Sequence, residues 1–309
     1  MSESQIAWPK KAREIQTRIC DSTRWNGFKF RDDDIVVSTW GKTGTTWTMR
    51  IVSELIFRGH DSGGPLVQPW LDQRGLPLDP TLRALEAQTH RRLLKTHLPV
   101  SALVFSPRAK YINVGRDVRD VTWSLYNHTL KYTDEALARY NTPQDLGPPV
   151  ERPRSDVRQF YLDFLDDPKT AHESVWPFWE HVQSWWDVRR LPNVLLVHYS
   201  NLKADTPREN RRIAQFLDIP ADEALVGLIN QHCSFDHMKS AALASSLHTH
   251  LTQIWQGGAE TFFNKGTNGR WKDVLTQDEI ELADKVAAQH LTPDCAHWLK
   301  TGELPEGED

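Results

Sequence analysis

A chain of 309 residues, 39% of them apolar and 13 of them tryptophan, can bury a substantial core as one large α/β domain or two small ones. Its net charge of −4 argues against a general nucleic-acid binder, because phosphate-driven affinity needs a basic surface; any anion site must be local. Met1 to Lys11 lacks a signal-peptide core, no stretch approaches roughly 18 consecutive apolar residues, and Cys20, Cys233 and Cys295 are too few and too scattered for a disulfide framework, so a cytoplasmic protein without stable membrane insertion is expected.

Strand-like and helix-like segments alternate along the chain, which predicts an α/β fold with an open, mostly parallel sheet flanked by helices. Asp32-Asp33-Asp34 reads as an exposed lead into a first strand, Ile35 to Trp40. Trp47, Ile51, Leu55 and Ile56 then recur at helical spacing, so the intervening Gly41-Lys42-Thr43-Gly44-Thr45-Thr46 opens a helix. Helix N-termini carry unpaired N–H groups and partial positive charge; Gly44, Thr45 and Thr46 can present such donors to a phosphate-like group while Lys42 adds a full charge. The tail Gly41-Lys42-Thr43 fits a Walker A loop, but Val36, five residues before Gly41, lies mid-strand, and no G-x-G-x-x-G is present. An anionic ligand other than an ordinary NTP or NAD is implied; the plainer alternative is a strand-to-helix turn with a capping threonine.

Gly59 to Pro80 reads as a long surface loop containing Trp70. Arg92 to His97 is a second strand and Lys110 to Val114 a third, followed by a helix over Asp117 to Tyr132. Asn141 to Ser155, with four prolines, reads as a mobile loop. A helix is expected from His172 to Arg190, with Trp176, Trp179, Val182 and Trp186 as core. Val194 to His198 is a fourth strand, Asp205 or Thr206 caps the next helix, and Thr276 to Glu279 is a capping box opening a last one. Ser240 to Gly269 lacks clear periodicity and is expected to be a flexible flap. His248-Thr249-His250, with His232 and His237, lacks the carboxylate or cysteine of a familiar metal spacing and reads as solvated. Asn127-His128-Thr129 matches a glycosylation sequon by accident.

Three segments extend the Lys42 loop into a constellation. Lys95-Thr96-His97-Leu98-Pro99 ends a strand, Arg116 leaves a strand with Ser124 two turns into the next helix, and Asn264-Lys265-Gly266 begins a glycine-containing loop that runs to Trp271. With the Lys42-to-Trp47 loop, these resemble, in order, the motifs of the cytosolic-type sulfotransferases. The resemblance implies a single domain over residues 1–309 with a P-loop-NTPase-like sheet between helices, an N-terminal segment over 1–30 and a flap over 240–270 that closes on cofactor and substrate. It implies transfer of a sulfuryl group from 3'-phosphoadenosine 5'-phosphosulfate (PAPS), leaving PAP, to a small hydroxylated acceptor, with no metal required.

By that resemblance Lys42, Thr43, Gly44, Thr45 and Thr46 hold the 5'-phosphosulfate, Arg116, Ser124, Lys265 and Gly266 hold the 3'-phosphate, and Trp47, Tyr199, Cys233 and Phe235 surround the adenosine. His97 is the general base, Lys42 stabilises the leaving oxygen, and Lys95 steadies the sulfuryl oxygens or orients the acceptor. Trp70 and the aromatic segments near 126–140 and 247–263 suggest an apolar acceptor pocket. Asn264 stands where the family usually has arginine, which either weakens cofactor affinity or shifts the clamp's load to Arg116 and Lys265. The family's dimer motif survives as Lys272, Thr276 and Glu281 but has Gln277 in place of valine, leaving a homodimer open. Two alternatives remain at this stage: an ATP- and Mg²⁺-dependent P-loop kinase, and a non-catalytic PAP- or nucleotide-binding regulator.

Overall fold

The computed structural model describes residues 6–60, 70–142, 146–166 and 177–307. Its sheet consists of β1 (Ile35–Thr39), β2 (Leu93–Thr96), β3 (Lys110–Gly115) and β4 (Val194–His198), in the order β2-β1-β3-β4 and parallel throughout. All five residues of β1 are buried, as required of a strand covered on both faces. Strand alternation sends Val36, Leu94, Tyr111 and Leu196 into one core and Ile35, Val37, Leu93, Ile112 and Val197 into the other.

Helices labelled in chain order fill both layers. Against the first face lie α2 (Leu78–Glu86), α3 (Val118–Thr129), α5 (Val157–Asp166), α6 (Phe178–Asp187), α13 (Gln277–His290) and α14 (Pro293–Thr301). Against the second lie α1 (Thr45–Ile56), α7 (Tyr199–Ala204), α8 (Thr206–Phe216) and α9 (Glu223–His232). Asp117 caps α3, Asp205 caps α8, and Thr276 and Glu279 form the reciprocal capping box that opens α13.

Four expectations need correction. The segment over 240–270, which shows no clear periodicity in sequence, is helical: α10 (Phe235–Ala244), α11 (Ser246–Thr252) and α12 (Ala259–Phe262) pack with α4 (Asp134–Tyr140) around Tyr132, Met238, Leu251 and Trp255 in a third apolar cluster. Helices α11 and α12, of 7 and 4 residues, are too short to print a periodic signature, and Gly257 and Gly258, at φ +85° and +56°, turn the chain between them. Second, the expected loop of Gly59 to Pro80 ends early, because Pro80 sits in the first turn of α2, where its missing N–H costs nothing; residues 61–69 lie outside the described residues.

Third, Asp34 is buried rather than exposed. Arg92 donates to both its carboxylate oxygens, Nε at 2.8 Å and Nη2 at 2.6 Å, pinning the start of β1 to the start of β2. Fourth, the described part of Asn141 to Ser155 is anchored: the Asn141 amide accepts from Val150 N and donates to Val150 O, and Arg18 donates to Gly147 O and Pro148 O. The expected helix start at His172 and the core position Trp176 lie outside the described residues; α6 begins at Phe178.

Candidate active site

The carboxyl ends of all four strands open toward one cavity of about 620 Å³. The chain adds β2 on one side of β1 and β3 on the other, so the loops after the strands splay apart and leave a crevice there. One site residue leaves each strand: Lys42 after β1, His97 after β2, Arg116 after β3 and Tyr199 after β4.

The loop after β1 is built for an anion. Gly44 precedes α1 at φ +123°, no side chain caps the helix and no acid stands in its first turn, so the N–H groups there are left for a ligand. A Cβ on Gly44 would meet Tyr199 Cδ2 at 2.9 Å, which explains glycine at this position. Lys42 is held at φ +71°, a conformation a non-glycine residue adopts only under constraint, and Arg116 Nη1 donates to its carbonyl at 3.0 Å. Gly44, Thr45, Thr46 and Trp47 line the cavity. Thr43 does not; it is buried, and its hydroxyl donates to Trp40 O at 2.9 Å, closing the turn.

Arg116 is the second anchor. It is buried, its guanidinium stacks 4.1 Å over Tyr199, and Nη2 donates to Asn268 Oδ1 at 2.8 Å. Among the described residues it forms no salt bridge, and its buried Nε–H has no hydrogen-bond partner. A buried guanidinium held by neutral oxygens with a donor to spare is a fit for an anionic ligand. Trp47 Nε1 is likewise buried and unpartnered, beside Tyr199 with ring centroids 5.6 Å apart. Ser124 lines the same space, as do Cys233, Phe235, Asn264, Lys265 and Gly266. Gly266, at φ +62°, lets Phe235 close over it: a Cβ there would meet Phe235 Cδ2 at 2.6 Å.

His97 is oriented by the strand beside it. Its Nδ1 lies 2.6 Å from Thr39 O, an acceptor only, so Nδ1 carries the proton and Nε2 keeps the basic lone pair. Burial, reinforced by Lys95, holds the imidazole well below the ordinary histidine range and therefore neutral. Trp70 is wedged between the two, its ring 4.8 Å from that of His97 and 4.0 Å from Lys95 Nζ. Asp72 fixes that wedge: Trp70 Nε1 and Trp25 Nε1 donate to it, as does the Thr96 hydroxyl, and burial lifts its carboxyl to about 6.

Among the described residues six cationic side chains line the cavity, Lys42, Lys95, Arg116, Lys203, Lys265 and Arg270, against one carboxylate, Asp120, which accepts from Gly269 N at 2.7 Å. Burial lowers Lys42 to about 7, with Arg116 and Lys95 adding repulsion, and burial lowers Lys95 to about 8. A ligand bearing several negative charges would relieve that repulsion. Another part of the wall is aromatic and aliphatic, with Tyr132, Tyr140, Leu251, Ile254, Trp255 and Phe262.

Sequence reasoning missed several of these residues. His128 accepts a hydrogen bond from Lys42 Nζ at Nδ1, 3.0 Å, inside a box of Tyr132, Trp255 and Phe262. The signal was there: Asp120, Ser124 and His128 follow one another at four-residue spacing on α3, and all three line the cavity. Asn268, Lys203 and Arg270 had no such pattern. Of the other histidines, His250 lines the cavity, while His232 pairs with Glu54 at 3.0 Å and stacks on His237. Among the described residues no three His, Cys, Asp or Glu side chains gather as a metal site, and no helix is long and apolar enough to cross a membrane.

Comparison with known proteins supplies the family. Residues 32–293 match the model of the sulfotransferase domain. The chain is 32% identical to a glycolipid sulfotransferase of Mycobacterium bovis over 92% of this chain and 93% of the relative. It is 30% identical to sulfotransferase 1A1 of Rattus norvegicus over 85% and 86%. Among solved structures it superposes on mouse sulfotransferase SULT7A1 complexed with PAP, with a TM-score of 0.68 at 20% identity over 91% of this chain and 93% of that one. A retinol dehydratase in complex with retinol and PAP gives 0.70 at 21% identity over 92% and 86%. With four strand ends opening toward one cation-rich cavity and the family's model spanning most of the sequence, the chain belongs to the sulfotransferase family and is an enzyme of sulfuryl transfer.

Proposed function

We propose that the donor is PAPS, that His97 is the general base, and that the acceptor is a hydrophobic molecule presenting a hydroxyl group. The observation that carries this reading is the tautomer of His97: Thr39 O takes the Nδ1 proton, so Nε2 is the nitrogen able to accept one in a cavity that also contains the Lys42 loop. Lys42, the open end of α1, Thr45 and Thr46 hold the 5'-phosphosulfate; Arg116, Ser124 and Lys265 hold the 3'-phosphate; Trp47, Tyr199, Cys233 and Phe235 enclose the adenine. The PAP found in the mouse and retinol dehydratase structures supports this choice of donor.

In the reaction, the acceptor oxygen attacks sulfur as its proton passes to His97 Nε2, and the bond between sulfur and the bridging oxygen breaks. PAP leaves with that electron pair, and Lys42 meets the charge growing on the bridging oxygen. Lys95, steadied over Trp70, faces the sulfuryl oxygens. The aromatic wall around Trp255 suits an acceptor with an apolar body, and the glycolipid named for the mycobacterial relatives heads the panel worth testing. Helices α10 to α12, with the loop behind them, act as the cover of one catalytic unit.

The test is sulfated product, read by mass spectrometry, from PAPS and a panel of hydroxylated lipids, sterols and phenols. His97→Ala is expected to lower turnover at least about 10²-fold with PAP affinity kept. Near-normal turnover would remove His97 from the mechanism, and PAP binding without product across the panel would favour a regulator.

A further inference from the structure

We propose that Arg270 provides the second guanidinium of the 3'-phosphate clamp, taking over the charge that Asn264 does not carry. This rests on the reading of the donor as PAPS.

Chain connectivity places Arg270 beside the buried anchor. Asn268 accepts from Arg116 Nη2 at 2.8 Å, and Gly269 N donates to Asp120 at 2.7 Å, so the two residues before Arg270 are both tied to the Arg116 end of the cavity. The residue after it is fixed as well: Trp271 lies under the Arg119 guanidinium, 5.4 Å from its ring centre. Arg270 is therefore held between two anchored neighbours, each one Cα step of about 3.8 Å away. It is half-buried and lines the cavity, yet among the described residues it makes no hydrogen bond, ion pair or ring contact.

The other cations of this loop are differently placed. Lys203 Nζ is engaged with Gly266 O at 2.6 Å, and Lys265 is exposed. Two guanidinium groups thus line one cavity, Arg116 with a spare Nε–H and Arg270 without a partner among the described residues, both left with donors for a multiply charged anion. A phosphate monoester is such an anion, and the planar fork of arginine matches its oxygens two at a time.

Isothermal titration of PAP and of adenosine 5'-phosphate, which differ only in the 3'-phosphate, separates this role from a structural one. In Arg270→Ala, PAP affinity is expected to fall about tenfold or more while adenosine 5'-phosphate affinity stays within about twofold. Arg270→Lys is expected to recover only part of the loss, because an ammonium cannot pair bidentately, and adding Asn264→Arg to Arg270→Ala is expected to restore PAP affinity. Unchanged PAP affinity in Arg270→Ala would overturn the proposal. So would an equal loss for both ligands, which would mark Arg270 as a support for the loop. If the unaltered protein does not prefer PAP to adenosine 5'-phosphate, the PAPS reading itself falls, and this inference with it.

Discussion

The two walls of the cavity are held by different forces. The sheet wall, with Lys42, His97 and Arg116, is fixed by buried polar contacts: Thr39 O to His97, Arg116 to Lys42 O, and Asp34 to Arg92 beneath. The cover, α10 to α12 with α4, is held by rings and aliphatic side chains around Trp255, with Lys203 to Gly266 O and Gly269 N to Asp120 tying its trailing loop down. Directional contacts fix atoms to a fraction of an ångström, as chemistry on a sulfuryl group requires; apolar packing tolerates rearrangement. Precision and adaptability are thus assigned to opposite sides of one space.

The largest expected effect is on the sheet wall. Asp34→Ala leaves the buried Arg92 only the exposed Glu86 carboxylate and Lys29 O as partners and is expected to cost about 3–5 kcal/mol of stability, measured by urea unfolding; a loss under about 1 kcal/mol would mean that the strand starts do not depend on the pair. Next, Lys42→Met is expected to lower kcat by about 10²–10³, or roughly 2.7–4 kcal/mol, if it carries charge stabilisation of the leaving oxygen. A change confined to KM would reduce Lys42 to a binding residue.

On the cover, Trp255→Ala is expected to raise the acceptor KM about tenfold, near 1.4 kcal/mol, with PAP affinity kept. Equal loss of both would show that the two walls are not separate in function. The smallest effect is on pH dependence. Lys42 titrates at about 7 in the free protein, and a bound anion raises that value, so above pH 7 binding must take up a proton. PAP affinity should fall less than about twofold from pH 6 to 7 and about fivefold from pH 7 to 8, a window above the second phosphate pKa of about 6. Titration in buffers of different ionisation enthalpy measures the proton directly, and Lys42→Met should abolish its uptake.

Legibility in the sequence follows the same division. All four strands, the cap at Asp117 and the capping box at Thr276 could be read from local pattern, because each depends on a few consecutive residues. Short helices such as α11 and α12 could not, since their stability comes from packing in a cluster that includes Tyr132 and Val150, distant in sequence. Asp34 read as solvated because its partner Arg92 lies 58 residues away. His128 is legible in principle from its spacing to Ser124, although Asn127-His128-Thr129 reads first as a chance sequon.

The sequence by itself determined the parallel α/β sheet and the loops that leave its strands, because strand periodicity, glycine placement and helix N-termini are local properties of the chain. Only the tertiary structure decided the protonation of His97, the partner of Lys42 and the neighbours of Arg270. Those depend on burial and on groups brought together from separate strands and helices, and burial, with the contacts it enforces, is a property of the folded whole.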